Sequence, residues 1–185
     1  SRHYPPFAPS SGASTDRAGE ASLYWWHYNT SKWSVVLDLS QARSREAFLK
    51  LIESADVLIE SEAPGQLAEW GLDYDDLTRV KPDLIHVSIT PFGRENSRRD
   101  EPVTDLTSLA GGGPVWSCGY DDHELPPIRG GGNQGYHIAC HYAVMSALTA
   151  IFRHGVTGKG QFVDVSMHAA ANITTEMSSY FHLVE

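Results

Sequence analysis

The sequence has 185 residues, of which 41% are hydrophobic and 20% are charged, enough for one domain with a packed core. Acidic residues outnumber basic ones by 23 to 14, giving a net charge of −9. This balance argues against a nucleic-acid-binding protein, which needs clustered Lys and Arg. The two cysteines, Cys118 and Cys140, lack CxxC spacing, and no signal peptide or membrane-spanning run is evident. We therefore expect a reduced protein of the cytoplasm.

The chain divides into two parts by composition. Residues 1–22 are rich in Pro, Ser, Gly and Ala and lack apolar periodicity, which predicts a loop-rich N-terminal segment. From Leu23 onward aromatic residues and regular apolar patterns appear. We therefore predict that residues 23–185 form the folded portion.

Short apolar runs alternate with amphipathic segments along the first half of that portion. Residues 33–39, 56–59 and 84–89 read as strands, and helical patterns lie between them over 41–54 and 73–80. Such an alternation is typical of an α/β fold with a Rossmann-like, mostly parallel sheet and flanking helices. The loops that leave the second and third predicted strands are then expected at the carboxyl edge of the sheet, where ligands bind in such folds.

The stretch from Pro126 to Ser166 combines a glycine-rich turn, a helix of about four turns, a second glycine turn and a buried strand. The glycine-rich turn therefore leads into a helix N-terminus. The first N–H groups of a helix are unpaired and the dipole is positive there, so this arrangement is suited to an anion or a carbonyl oxygen.

Two histidines on this helix, His137 and His141, have the i, i+4 spacing that metal sites use. No acidic or cysteine ligand pattern such as HExxH accompanies them, so we predict hydrogen-bonded histidines and no metal. At the start of the helix, His137 is a candidate for acid/base chemistry if it lines a pocket.

Four groups of residues, taken in order, resemble one protein family. They are Asn29 to Lys32 with the following SVVLDL run; Ala55 to Glu60 with Pro64-Gly65 and Gly71-Leu72; Pro82 to Ile85 with Ser88 and Phe92-Gly93; and Thr157 to Gln161 with Val163 to Ser166. In this order and spacing the sequence resembles the family III CoA-transferases, a group that includes carnitine CoA-transferase-like proteins and alpha-methylacyl-CoA racemase.

The resemblance implies a Rossmann-like large domain with coenzyme A at the strand ends and a dimer of two interlocked ring-shaped chains. It also implies CoA transfer between an acyl-CoA and a carboxylic acid through an aspartate that becomes an acyl-anhydride and then a thioester. The family pattern includes a strand ahead of the region seen here and a small domain after it. We therefore expect the sequence to be a portion of a longer chain.

The same resemblance marks candidate site residues, although the family's aspartate has no counterpart. Its position falls on Tyr136 or, with a small shift, on Asn133, and Gly132-Asn133-Gln134 is similar to a Gly-x-Gln signature of related sequences. The candidates are Asn133, Gln134, Tyr136 and His137 for catalysis, and Lys32, Pro64, Gly65, Gly93, Gly131 and Gly132 for CoA binding. Where the family has an arginine before Pro64, this sequence has Ala63, and Arg94, Arg98 and Arg99 are candidates to replace its charge.

Three functions remain open from the sequence. The first is CoA transfer between an acyl-CoA and a carboxylic acid, with the Gly130–Gln134 loop cradling the thioester. The second is a non-catalytic, CoA-binding half of a dimeric or tandem protein, which the missing aspartate favours. The third is an acyl-CoA racemase or isomerase, weakened because the racemase branch has His-Asp where this sequence has Thr104-Asp105.

Overall fold

The structure, a computed structural model, describes residues 3–8, 22–118, 122, 124–126, 128–175 and 183–184. The chain divides into two compact units, Ser1–Leu37 and Asp38–Glu185. The predicted division between residues 22 and 23 stays a prediction, since residues 9–21 of the loop-rich segment lie outside the described residues.

The first unit contains one short helix, α1 (Leu23–Tyr28). Ser22 caps it, because its Oγ accepts the Trp25 N–H at 3.1 Å, and the same hydroxyl donates to the carbonyl of Tyr4 at 2.5 Å. A single antiparallel bridge joins Phe7 to Ser22. The N-terminal residues are thus fixed to the start of α1.

The strand predicted over residues 33–39 is wrong. Residues 32–38 have no regular secondary structure, and the side chains of Trp33 and Val36 are fully exposed. An apolar, β-branched run becomes a strand only when a neighbouring strand pairs with its backbone. No described residue forms a ladder with this segment.

The second unit is built on three parallel strands, β1 (Val57–Glu60), β2 (Ile85–Thr90) and β3 (Gln161–Ser166), in the order β1-β2-β3. The other helices of this unit are α2 (Ala42–Glu53), α3 (Gln66–Glu69), α4 (Tyr74–Val80), α5 (Asp105–Gly112), α6 (Pro114–Ser117), α7 (Gln134–Thr157) and α8 (Met167–Ile173). The predicted α/β fold with a parallel sheet and flanking helices is confirmed.

One face of the sheet packs against α7 through small residues. Ala143, Ala147 and Ala150 are buried against the odd-numbered valines and isoleucine of β2 and β3. The opposite side of α7 is also apolar but exposed, with Val144 and Leu148 more than half accessible. No helix among the described residues is long and apolar enough to cross a membrane.

The other face of the sheet is covered by the helices before β2. Their core consists of Ile52, Leu67, Leu72, Leu77 and Leu84. Asp73 caps α4 with a capping box. Its carboxylate accepts backbone N–H groups of the first turn, and the Asp76 carboxylate accepts the Asp73 N–H. The cap fixes where α4 begins, beside the carboxyl edge of the sheet.

Helix α7 is much longer than the strand that follows it. Its 24 residues span about 36 Å, whereas the six residues of β3 span about 20 Å. Because α7 runs antiparallel to β3 through a short turn at Gly158, its N-terminus projects beyond the carboxyl edge of the sheet. There α5 and α8 pack around it, with Gly135 and Ala139 buried.

Candidate active site

The glycine-rich loop turns sharply into α7. Gly132 has a φ of +78°, a left-handed conformation that side chains other than glycine rarely adopt. The Gln134 side-chain amide donates back to the Gly131 carbonyl at 3.0 Å, which closes the turn. Asn133 is the residue before the helix, but its side chain forms no capping bond.

The Asp105 side chain bonds to residues on both sides of the glycine-rich loop, Arg129 and Gly135. Its carboxylate is buried, with 7% of the residue exposed, and Oδ1 accepts the Gly135 N–H at 2.8 Å. Oδ2 lies 2.7 Å from Nη1 of Arg129, which also donates to the Gly132 carbonyl at 2.8 Å. A negative charge is favoured here because Asp105 is itself in the first turn of α5 and meets the N-terminus of α7.

The start of α7 retains unused donors. Among the described residues, the backbone amides of Gln134 and Tyr136 have no acceptor, whereas the His137 amide donates to the Asn133 carbonyl at 3.0 Å. The Tyr136 side chain is about half exposed. The structure thus brings the predicted catalytic candidates and Gly131 and Gly132 to one helix N-terminus.

A small pocket lies beside the loop, with a volume of about 120 Å³. Helices α5 and α6, the loop and the first turns of α7 enclose it. Its lining residues are Leu109, Pro114, Val115, Cys118, Arg129, Gly130, Gln134 and Ile138. Its walls are therefore mainly aliphatic, and Arg129 is the charged member of the lining.

A larger cleft of about 670 Å³ opens on the α4 side of the sheet. It is lined by Pro64, Gly65, Ala68, Asp73, Tyr74, Asp75, Arg94, Glu95, Arg99, Phe162 and Asp164. The predicted CoA-binding residues Pro64 and Gly65 are in this lining, and Gly93 directly precedes Arg94. Burial raises the pKa of the Tyr74 phenol above its usual value, with Asp75 adding to the effect, so the hydroxyl is a neutral donor.

Arg94 organises the cleft. Its Nη2 lies 2.9 and 3.0 Å from the two carboxylate oxygens of Asp73, and its guanidinium carbon lies 4.9 Å from the centre of the Phe162 ring. Its backbone N–H donates to Asp164 at 2.8 Å. Gly93, with a φ of +87°, makes the turn that brings Arg94 to this position.

Arg99 is the more available cation of the cleft. It pairs with Asp100 at 3.1 Å, but about half of its side chain is exposed, and exposed pairs are weak. Its Nη2 lies 3.6 Å from the point where a Gly65 Cβ would be. The guanidinium therefore lies beside the Gly65 backbone, in van der Waals range of the point where a Cβ would be.

The charge of the cleft is not simply positive. Four of its lining residues are acidic and two are arginines, one of which is held by Asp73. Arg98, the third candidate for the missing family arginine, is outside the lining: it stacks on Phe92 at 4.2 Å and pairs with Glu101 at 2.8 Å. An anionic group in the cleft would therefore depend mainly on Arg99.

At the end of β1, Glu60 lies beside the fully buried His86, with Oε1 and Nε2 3.6 Å apart. Burial raises the pKa of the Glu60 carboxyl, but the His86 ring, the Ser88 hydroxyl and the Glu62 amide, which donates to it at 2.7 Å, outweigh that effect. The pKa of Glu60 consequently lies below its usual value.

This low pKa predicts that the free energy of unfolding decreases when the pH falls into the acidic range. A carboxyl whose pKa is depressed in the folded state stabilises it above the unfolded pKa of about 4.3, and this contribution is lost as the pH falls through the folded pKa. Replacing Glu60 with Gln should lower the free energy of unfolding at neutral pH and flatten its decline in acid. Urea titrations over a pH series measure this, with the exposed Glu53→Gln as the control.

Lys32 belongs to the first unit. It is exposed, and its Nζ donates to the Tyr28 carbonyl at the end of α1 at 2.7 Å. Its predicted role in CoA binding stays a prediction.

Within the described part of the chain, no group of three or more His, Cys, Asp and Glu side chains could hold a metal ion. His141 and Cys140, the neighbours of His137 on α7, are both exposed.

Sequence reasoning missed the two residues that hold the loop, Asp105 and Arg129. In the sequence, Asp105 stands out only as the second half of the Thr104-Asp105 pair. Its bond to Gly135 spans 30 positions of the chain, and no local pattern indicates such a contact. The acidic residue in the first turn of α5, following a Thr cap, was the available signal.

The comparisons with known proteins agree with this architecture. The family model described as CoA-transferase family III matches residues 1–185. The chain therefore belongs to CoA-transferase family III.

Among curated relatives, it is 38% identical over 162 residues to succinyl-CoA:(R)-benzylsuccinate CoA-transferase subunit BbsE of Thauera aromatica, covering 88% of this chain and 39% of that protein. It is 34% identical over 155 residues to acetyl-CoA:oxalate CoA-transferase of Acetobacter aceti, covering 80% and 38%. The chain thus spans about two fifths of the length of these relatives.

Among solved structures, it is similar to a CAIB/BAIF family protein from Brucella suis, with a TM-score of 0.87 and 25% sequence identity. This match covers all of the present chain and 47% of the Brucella suis chain.

Proposed function

We propose that the chain is part of an enzyme that transfers CoA between an acyl-CoA thioester and a carboxylic acid. The observation that carries this is the glycine-rich loop held at the N-terminus of α7 with the Gln134 and Tyr136 amides unused. Such donors stabilise the negative charge that develops on a thioester carbonyl oxygen when a carboxylate attacks it. Membership of the family and the printed names of its CoA-transferase relatives support the reaction type.

In this proposal the two regions have separate roles. The loop with Gly131, Gly132, Asn133 and Gln134 receives the thioester, with Tyr136 and His137 on the following turn. The cleft lined by Pro64 and Gly65, with Gly93 at its margin, receives part of CoA. Lys32, which belongs to the first unit, is proposed for CoA binding on the resemblance alone. A homodimer is proposed on the resemblance alone.

The attacking carboxylate has three possible sources. Asp105 is the acidic group nearest the loop, but both its oxygens are engaged, by Gly135 and Arg129. The acceptor acid can attack directly, which forms a mixed anhydride and releases the CoA thiolate; the thiolate then attacks the acceptor's carbonyl and releases the donor acid. A carboxylate from a part of the protein outside this chain is the other source.

A second candidate function is a non-catalytic, CoA-binding subunit of a larger transferase. Asn133 and Tyr136, at the family's aspartate position, cannot form an anhydride, and Asp105 is held in a structural network. The name of one relative designates a subunit, BbsE, and two others are named as alpha and beta subunits of a succinyl-CoA–L-malate CoA-transferase. This candidate predicts that CoA binds without turnover. The racemase or isomerase reading stays a third candidate.

The test uses the full-length protein with a carboxylic acid and an acyl-CoA that is labelled in its CoA part. Transfer of label supports the enzyme, and hydroxylamine trapping followed by mass spectrometry locates any covalent adduct. Binding of CoA without transfer would support the second candidate, a non-catalytic subunit. Solvent deuterium at the α-carbon of the acyl group would instead indicate the racemase.

A pair of arginine substitutions tests the cleft. Arg99→Gln is expected to weaken CoA binding about fivefold to tenfold, since a charge-assisted bond to a phosphate would be lost from a partly exposed site. Arg98→Gln is the matched control, because Arg98 is equally exposed and ion-paired but does not line the cleft. Isothermal titration with CoA measures both, and equal losses in the two variants would remove the cleft from the site.

A further inference from the structure

We propose that the pocket beside the loop, lined by Leu109, Val115, Ile138 and their neighbours, binds the acyl group of the thioester and selects short apolar acyl groups. This inference rests on the proposed CoA-transferase function and adds a substrate class to it. It will be called the acyl pocket.

Two walls of the acyl pocket are buried and apolar. Leu109 from α5 and Val115 from α6 are almost fully buried, with 2% and 5% of their surfaces exposed. Ile138 from α7 and Pro114 complete the aliphatic lining. An apolar acyl group gains free energy by entering such a space, whereas a polar one would lose hydrogen bonds to water without replacing them.

The size of the acyl pocket limits the ligand. Its volume of about 120 Å³ is several times the roughly 10–15 Å³ that a single water molecule needs. An acyl chain of a few carbon atoms fits, but the nucleotide part of CoA does not. The ligand that the pocket takes is therefore a group attached to CoA or the acceptor acid.

Its position connects it to the proposed thioester site. Gln134 belongs to both sites, because its backbone amide is one of the unused donors and the residue is part of the lining of the acyl pocket. Ile138 follows one helical turn later on α7. A carbonyl oxygen bound at the Gln134 and Tyr136 amides would therefore have its acyl chain within reach of the pocket.

The charge at the rim favours an uncharged acyl group. Arg129 contributes the charge of the lining, but its Nη1 already bonds to Asp105 at 2.7 Å and to Gly132 at 2.8 Å. Because Asp105 already pairs with Arg129, a carboxylate at the end of the acyl group would find a shared cation in a largely aliphatic space, which disfavours it. Butyryl is therefore favoured over acetyl by length, and over succinyl by charge.

The affinities of the full-length protein for CoA, acetyl-CoA, butyryl-CoA and succinyl-CoA test the inference. Butyryl-CoA is expected to bind about tenfold more tightly than acetyl-CoA, since two further methylene groups leave water. Ile138→Phe, which fills the acyl pocket, should remove that preference and leave the affinity for CoA unchanged. Val144→Phe is the matched control, because Val144 is exposed on α7 and does not line the pocket.

A second readout is independent of any substitution in the aliphatic walls. Cys118 lines the acyl pocket and has an exposed thiol. Saturating butyryl-CoA should slow alkylation of Cys118 by iodoacetamide, followed by mass spectrometry on the peptide that contains it, whereas CoA alone should not. Equal alkylation rates, or equal affinities for the acetyl, butyryl and succinyl esters, would overturn the acyl pocket while CoA binding and transfer keep the proposed function. Failure of CoA and every ester to bind would overturn both.

Discussion

Replacing Asp105 with alanine is expected to lower the free energy of unfolding by about 2–3 kcal/mol, because the buried amide of Gly135 would be left without its acceptor. The loss of the pair with Arg129 adds less, since Arg129 is about 43% exposed and water screens its charge. Urea denaturation measures the change.

The same substitution should impair transfer more than it impairs folding. Asp105 fixes the loop at both Gly132, through Arg129, and Gly135, so the Gln134 amide would no longer hold a fixed direction. We expect kcat/KM for the acyl-CoA to fall at least tenfold at a temperature where the variant is folded. Asp105→Asn, which keeps an acceptor for Gly135, should recover most of the stability.

Two outcomes would contradict this role for Asp105. An alanine variant as stable and as active as the parent would show that the loop does not depend on it. A covalent acyl or CoA adduct trapped on Asp105 would make it the nucleophile, in conflict with a purely positioning role. The exposed Glu101→Ala is the control for the general effect of removing an ion-paired acid, and no measurable change in stability or transfer is expected from it.

The second large effect is expected at Gly160, between α7 and β3. A Cβ at this position would lie 2.6 Å from the carbonyl carbon of Asp83 and 2.8 Å from the backbone nitrogen of Leu84. These are backbone atoms, so they cannot move aside as a flexible side chain does. The neighbouring Gln161 N–H donates to the Leu84 carbonyl at 3.2 Å, where β3 begins to pair with β2. Gly160→Ala should therefore cost about 3 kcal/mol, the upper range for overpacking.

Gly155→Ala is the matched control for that substitution. Gly155 lies within α7, and among the described residues no atom outside its own helix and neighbours lies within 4 Å of the point where its Cβ would be. Alanine there should raise the stability by about 0.5–1 kcal/mol, because glycine is a poor helix former. In thermal unfolding, the melting temperature should fall for Gly160→Ala and rise for Gly155→Ala. A Gly160→Ala protein that melts like the parent would contradict the close approach at Leu84.

Local pattern was sufficient for much of the fold. The runs at 56–59 and 84–89 became β1 and β2 within one residue, because apolar β-branched residues bounded by polar ones specify a strand wherever neighbours exist. The helix after the glycine loop was also predicted, but it has 24 residues, well beyond the four turns expected. Residues 33–39 have the same apolar, β-branched character as β1, yet they form no strand. A strand also needs a neighbouring strand to pair with, and the sequence of the segment itself does not show whether one is present.

The candidate site was only partly visible in the sequence for a similar reason. Glycines and a helix start are local signals, so the loop before α7 could be located. The carboxylate that holds it, Asp105, lies 30 positions from Gly135 and reaches it only through the packing of α5 on α7. The acyl pocket likewise depends on Val115 and Ile138, which are apolar residues without any chemical signature of their own.

Because α7 is long, a small rotation of its packed C-terminal part produces a larger displacement at its N-terminus. Its C-terminal part is clamped on the sheet through Ala143, Ala147 and Ala150, while its N-terminal end carries the loop beyond the sheet edge. A tilt of about 5° where α7 packs on the sheet would displace its N-terminus, about 15 Å away, by more than 1 Å. A displacement of that size is enough to change the rate of an enzyme that depends on positioning. An added methylene at the buried Ala147 is therefore expected to move the Gln134 and Tyr136 amides without contacting them.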